Sequence, residues 1–327
     1  MRDAQPNRQR RKVYVSRRLP DAVERVLDER YDVTRNIADT VLTPAELARA
    51  ARGCHYIITS AMQSIPRSVF DELADSLEAV GTLSVGYNHI DVDVARERGV
   101  AVIYSPGVLS EACAELAVML LLNCARRGHE AEELVRTGQW TGYAPTQLLG
   151  IGLVGRRAGV LGMGRIGQAT AARLKPFGVE LHYHNRRQLP PEQELGAIYH
   201  STAEDLLSVS DFLLITAPGS PELAGFLNRN RIELLPTQPV VVNVSRGDTI
   251  DDDALIEALQ SRRVFAAGLD VFANEPKLDP RYRTLPNVFL TPHIASATVD
   301  TRNAMGFTVL KGLQAYERGQ PAEMRLC

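Results

Sequence analysis

Residues 159–187 read GVLGMGRIGQATAARLKPFGVELHYHNRR, and this stretch decides the fold. Residues 158–161 are apolar and strand-like, Gly162, Gly164 and Gly167 supply a tight turn, and residues 168–176 begin an amphipathic helix. Gly162 permits the turn, Gly164 lets backbone approach a pyrophosphate, and Gly167 allows the helix to pack closely on the strand. The helix N-terminus offers N–H groups to the anion, and Arg165, Ile166 and Gly167, on the turn that leads into it, are expected cofactor contacts. A glycine pattern alone is weak. In this strand, turn, helix context it predicts dinucleotide binding.

The next strand sharpens that reading. Residues 179–184 alternate as a strand should, and the chain then reaches Asn185, Arg186 and Arg187. About twenty positions past the glycines an acid would accept hydrogen bonds from the ribose 2′-hydroxyl of NAD. Here the acid is missing, and two guanidinium groups suited to a 2′-phosphate follow. The expected cofactor is NADP(H) in preference to NAD(H). The alternative is that both arginines are a solvated loop and NAD(H) is used.

At 327 residues the length suggests about two domains, and 45% hydrophobic residues suffice for ordinary cores. A net charge of −2 and a pI near 6.4 give no global attraction to nucleic acid or to acidic membranes. Residues 8–12 form a basic cluster with no apolar segment behind it, read as a frayed tail and not a signal peptide. Residues 117–122 are too short to span a bilayer and read as a buried helix. The four cysteines show no metal or disulfide spacing. Reduced thiols in a cytoplasmic protein are expected. The seven histidines form no metal-binding pattern on a helix, so no metal site is expected.

The N-terminal part alternates strand-like segments (12–16, 56–60, 77–84, 100–104) with helical ones (21–29, 66–73), and a long helix at 110–127 leads towards the glycine turn. Such alternation predicts parallel strands with helices on both faces. After the turn, strands are expected at 212–217, 240–243, 266–270 and 288–291, with helices near 203–208, 229–234 and 251–261. A last helix, 298–319, has no strand after it and is expected to cross back to the first domain. The fold class is therefore α/β, with two doubly wound parallel-sheet domains and a cleft between them. Residues 1–105 plus 298–327 form a flavodoxin-like substrate domain, and residues 106–297 a Rossmann nucleotide domain.

Hydride transfer to a carbonyl needs a proton donor, a cation for an anionic substrate and a nearby nicotinamide. Three segments at predicted strand ends supply such groups. VVVNVSRGDTID (240–251) places Arg246 after an apolar strand, where the plainer reading is a helix-capping or surface arginine. GLDVFANEP (268–276) places Asp270 at a strand end and Glu275 before a proline, where Glu275 alone would read as a loop carboxylate. LTPHIASAT (290–298) places His293 among small residues, and only the company of a carboxylate and an arginine lifts it above a structural histidine.

These segments, in this order, resemble the D-isomer-specific 2-hydroxyacid dehydrogenases over about residues 77–305. Within that family SVGYNHID (84–91), ELAVMLLLNCARR (115–127) and GQWTGY (138–143) are similar to the glyoxylate/hydroxypyruvate reductase branch. The resemblance implies that His293 donates the proton and that Glu275 hydrogen-bonds its ring, favouring the protonated form. It implies that Arg246 binds the substrate carboxylate and carbonyl, helped by the amides of Val85 and Gly86. Asp270 would orient the nicotinamide amide, with Val244, Ser245 and Ala295 lining that pocket and His293 beside it. Ala217 and Pro218 would lie beside the cofactor ribose, and Ser296 would hydrogen-bond substrate. Two departures stand out: the missing acid at 185, and Ala295 where glycine is frequent.

The implied reaction is NADPH-dependent reduction of a small 2-ketoacid, glyoxylate to glycolate and hydroxypyruvate to D-glycerate. A homodimer through residues 110–150 is also implied. Trp140, the only tryptophan, would then reach a neighbouring subunit's substrate site, against the alternative of an ordinary buried aromatic. Other readings are a dehydrogenase of a bulkier ketoacid or of phosphite, with Trp140 and residues 59–63 deciding pocket size, and a dinucleotide-sensing scaffold like the C-terminal-binding-protein co-repressors.

Overall fold

The computed structural model describes residues 10–327. The first five strands are β1 (Lys12–Val15), β2 (Asp32–Arg35), β3 (Tyr56–Thr59), β4 (Ala79–Thr82) and β5 (Ala101–Ile103). Helices α1 (Asp21–Arg30), α2 (Pro44–Ala50), α3 (Arg67–Glu72) and α4 (Val92–Glu97) connect them. Two helices follow, α5 (Ser110–Ala125) and α6 (Gly128–Arg136), then β6 (Arg157–Leu161), α7 (Arg165–Leu174), β7 (Glu180–His184) and β8 (Ile198–His200). The remainder is α8 (Ala203–Val209), β9 (Phe212–Ile215), α9 (Arg229–Leu234), β10 (Val240–Asn243), α10 (Asp252–Gln260), β11 (Ala266–Leu269), β12 (Val288–Leu290) and α11 (Val299–Glu317).

The chain divides into two compact units, Met1–Leu109 with Ala297–Cys327, and Ser110–Ser296. In the smaller unit a parallel sheet runs β2-β1-β3-β4-β5, the flavodoxin-like order. Its central strands β3 and β4 are buried at every position because helices cover both faces. Helix α11 belongs here for a steric reason. A Cβ on Gly81 would lie 2.4 Å from Val309, and one on Gly306 would lie 2.5 Å from Val23, so glycines let α11 sit directly on β4 and α1.

In the larger unit all seven strands are parallel, in the order β12-β11-β10-β9-β6-β7-β8. Counted from β6 this is the Rossmann order 3-2-1-4-5-6 with one strand added. FLLI of β9 and VVVN of β10 are wholly buried, as a doubly covered parallel sheet requires. Helix α5 packs on α7, β10 and β11 through Ala117, Leu120, Leu121 and Cys124. No helix among the described residues is long and apolar enough to cross a membrane.

Several local expectations need correction. The helix after the glycine turn starts at Arg165, three residues before the expected 168. Strands β2 and β8 and helices α2, α4 and α6 were not anticipated. Of the basic cluster expected to be a frayed tail, Arg8 and Gln9 lie outside the described residues. Lys12, by contrast, opens β1, and Arg11 pairs with Glu78 at 2.5 Å. His182, on β7, also meets His200 of β8 at 2.9 Å.

Candidate active site

In a parallel sheet all strands end at one edge, and β6, β9, β10, β11 and β12 bring five loops to the C-terminal edge of the larger sheet. Strand order reverses between β6 and β9, the position where open α/β sheets bind ligands. The glycine turn lies there. Gly162 has φ +97°, and a Cβ on it would sit 2.4 Å from the Cα of Ala217. A Cβ on Gly167 would come within 2.3 Å of Gly162 O, so the helix start is pressed onto the turn, whereas Gly164 faces open space. Helix α7 has no side-chain cap, leaving its first N–H groups available. Asn185 braces the same turn: its Oδ1 accepts the Met163 N–H at 2.7 Å. Arg186 and Arg187 follow and are exposed.

The β9 and β10 loops are joined by the Ser245 hydroxyl, which donates to Ala217 O. Asn243, fully buried at the end of β10, shapes the loop that carries Arg246. Its Oδ1 accepts from Ser245 N at 3.0 Å and its Nδ2 donates to Arg246 O at 2.8 Å. Gly219 lies against the stem of Arg246: a Cβ there would be 2.6 Å from Arg246 Cγ. Gly247, next in sequence, has Phe272 backbone where a side chain would begin. The Arg246 stem is thus seated on Gly219, and Gly247 lets the loop press on the Phe272 backbone.

Asp270 acts as a clasp. It is fully buried, and its Oδ1 accepts from Thr291 Oγ1 at 2.6 Å and from Ile294 N at 2.8 Å, while Oδ2 accepts from Ala295 N at 2.9 Å. Burial pushes its carboxyl up, and these donors with the nearby His293 pull against that rise. Its carbonyl also accepts the His293 N–H at 2.9 Å. His293 is thereby held at φ +54°, a left-handed conformation uncommon outside glycine. Its Nδ1 lies 2.7 Å from Glu275 Oε2, while Glu275 Oε1 accepts the Phe272 N–H at 2.9 Å. Burial alone would raise the Glu275 carboxyl, but His293, the Phe272 amide and Arg246 outweigh it and hold it below the ordinary carboxylate range. An ionised Glu275 can only accept, so Nδ1 carries the hydrogen and Nε2 is left for exchange.

Of the residues singled out from sequence, Ala217, Val244, Ser245, Asp270 and Ala295 are buried at this edge, Ser296 and His293 are half-buried, and Pro218 is exposed. Val85 and Gly86 belong to the smaller unit, after β4. Trp140 is 54% exposed within the chain, so it is not an ordinary buried aromatic. Asn243, Gly219 and Thr291 were missed. An amide ending an otherwise apolar strand was the available signal for Asn243, and nothing local marked the other two. No cluster of histidine, cysteine and acidic residues suited to a metal occurs among the described residues.

The chain is similar to known proteins. Residues 118–295 match the family profile described as D-isomer specific 2-hydroxyacid dehydrogenase, NAD binding domain. The human glyoxylate reductase/hydroxypyruvate reductase is 38% identical over 322 residues, covering 96% of this chain and 97% of that protein. A crystal structure from Polaromonas sp., described as a D-isomer specific 2-hydroxyacid dehydrogenase, is 52% identical with a TM-score of 0.94, over 97% of this chain and 99% of that one. The NADPH-dependent glyoxylate/hydroxypyruvate reductase of Sinorhizobium meliloti, solved with NADP and malonate, is 36% identical with a TM-score of 0.87, over 98% of this chain and 97% of that one. The chain belongs to the D-isomer specific 2-hydroxyacid dehydrogenase family and is an oxidoreductase.

Proposed function

We propose that this protein is an NADPH-preferring 2-ketoacid reductase that converts glyoxylate to glycolate and hydroxypyruvate to D-glycerate. The observation that carries the chemistry is the 2.7 Å His293–Glu275 pair, held by the Asp270 clasp at the same sheet edge as Arg246 and the glycine turn. The turn fits a pyrophosphate, because Gly164 has open space where a side chain would stand and the α7 amides are uncapped. When bound, the reduced nicotinamide supplies the hydride to C2 of the ketoacid. As C2 accepts it, His293 Nε2 releases its proton to the carbonyl oxygen, and the product leaves as the 2-hydroxyacid. Glu275 holds the ring by Nδ1 throughout and stabilises its positive charge before transfer. Arg246 grips carboxylate and carbonyl together in forked geometry. The amides of Val85 and Gly86 bind the carboxylate as well, which makes the smaller unit the substrate domain, and Ser296 adds a hydrogen bond to substrate.

NADPH preference rests on Arg186 and Arg187, exposed directly after β7, in place of an acid. The relatedness to an NADPH-dependent enzyme of Sinorhizobium meliloti supports it. Asp270 and the buried residues Val244, Ser245 and Ala295 would hold the nicotinamide, and Ala217 and Pro218 the adjoining ribose. A homodimer is proposed from the segment after α5. There α6 buries none of its residues, and Trp140, Tyr143, Leu149 and Val154 are all at least 54% exposed within one chain. Initial rates with glyoxylate, hydroxypyruvate and pyruvate, each with NADPH and NADH, test the reading. It expects the first two ketoacids with NADPH to be fastest, and equal or better efficiency with NADH removes the cofactor assignment.

A further inference from the structure

The C-terminal edge of the smaller sheet holds a separate polar chain that runs through two hydroxyls to a backbone carbonyl. Ser84 Oγ lies 2.7 Å from the carbonyl oxygen of Gly86. Two oxygens that close need a hydrogen between them, and only the hydroxyl has one, so Ser84 donates. Thr82 Oγ1 lies 2.8 Å from Ser84 Oγ. The single hydrogen of Ser84 is already committed, so Thr82 donates to it. His89 Nε2 lies 2.9 Å from Thr82 Oγ1, and Thr82 has no hydrogen left to give. The imidazole must therefore carry its hydrogen on Nε2. Direction is forced along the whole chain, from His89 through Thr82 and Ser84 to Gly86.

The surroundings hold this chain rigid. Thr82 is fully buried and Ser84 7% exposed. Ser105 donates to the Ser84 carbonyl twice, from N at 3.0 Å and from Oγ at 3.1 Å. The Ser84 carbonyl shares a peptide plane with the Val85 N–H, so that amide is fixed in direction. The Gly86 carbonyl, held by the Ser84 hydroxyl, fixes the plane two peptides on. Between these two planes stands the peptide that carries the Gly86 N–H. Neither the Val85 nor the Gly86 amide donates to an acceptor among the described residues.

We propose that His89, Thr82 and Ser84 are positioning residues that hold the Val85 and Gly86 amides in the orientation that receives the substrate carboxylate. This rests on the reading that those two amides bind it. Chained hydrogen bonds polarise one another, so each donor strengthens the next. Ser84→Ala should raise the KM for glyoxylate about fivefold, the worth of one hydrogen bond, with kcat and the Kd for NADPH within about twofold of the parent. Thr82→Val and His89→Leu should give smaller rises in KM, and His89→Gln, whose amide restores the donor, should recover most of the parental value.

An unchanged KM in Ser84→Ala overturns the proposal. So does a loss of NADPH affinity that matches the rise in KM, or a His89→Gln variant as impaired as His89→Leu. Gly86→Pro, which deletes an amide hydrogen, separates the two levels. If it raises KM while Ser84→Ala does not, the positioning chain fails and the carboxylate seat stands; if it too leaves KM unchanged, the seat fails.

Discussion

The two sheets end in the same way and hold different chemistry. At the C-terminal edge of the larger sheet stand ionisable side chains: Arg246, Asp270, Glu275 and His293. At the corresponding edge of the smaller sheet are mainly hydroxyls and amides, with Ser16 bonded to Thr59 at 3.0 Å beside the Thr82–Ser84 pair and one histidine, His89, bonded to Thr82. The loops of the larger unit are clamped by a buried carboxylate and a buried amide, Asp270 and Asn243, whereas those of the smaller unit are clamped by the buried amide of Gln63 and by serine and threonine hydroxyls, with no buried carboxylate among that unit's described residues. Proton transfer needs a group that changes charge, and a carboxylate seat needs only fixed donors. On this view the larger unit carries out the reaction and the smaller unit contributes binding.

Breaking the larger edge should have the greatest effect. His293→Ala should lower kcat by at least about a thousandfold, within the range for a lost general acid, while fluorescence titration shows NADPH binding unchanged. Arg246→Lys should come next, raising the ketoacid KM about tenfold and also lowering kcat, since an ammonium cannot form the forked pair. Gly219→Ala should be milder: its φ suits any residue, so the only obstacle is the Arg246 stem. A KM rise of about threefold is expected, on the order of one weakened hydrogen bond. The same substitution in an Arg246→Ala background should add nothing, and an undiminished effect there would break the link between the two residues.

The smallest effect concerns acid stability. Glu275 has its folded-state pKa depressed, so its contribution is fully present above the ordinary unfolded value of about 4.3. It is lost as pH falls through the lowered folded value. The Tm difference between the parent and Glu275→Gln should therefore shrink as pH falls below about 4. A difference that keeps growing below that pH would contradict the ionised pair.

How much of this was legible in the chain depends on the range of the interaction. Buried parallel strands such as FLLI and VVVN announce themselves because both faces are covered, and the glycine turn does so because three positions cannot carry side chains. Edge strands β2 (DVTR) and β8 (IYH) were missed because half-exposed edges carry polar residues. Helix α2 was missed although Thr43 and Glu46 form a capping box and Pro44 stands at its first turn, the local signals that mark such a short helix. Arg246, Glu275 and His293 could be named from strand-end position and chemical type. What holds them could not, because Asp270 with Ala295, Gly219 with Arg246 and Ser84 with Ser105 meet only once the chain has folded. Asn185 is instructive in another way. Its position after β7 was legible, but not its commitment to Met163, which leaves the cofactor distinction to the arginines beyond it.

The most direct test sets the two edges against each other in one assay, with glyoxylate varied at saturating NADPH for the parent, His293→Ala and Ser84→Ala. The predicted result is a split: His293→Ala loses kcat with KM changed by less than about threefold, and Ser84→Ala raises KM about fivefold at nearly parental kcat. If His293→Ala instead turns over within about tenfold of the parent, or Ser84→Ala loses kcat at unchanged KM, the division of labour between the two units is wrong.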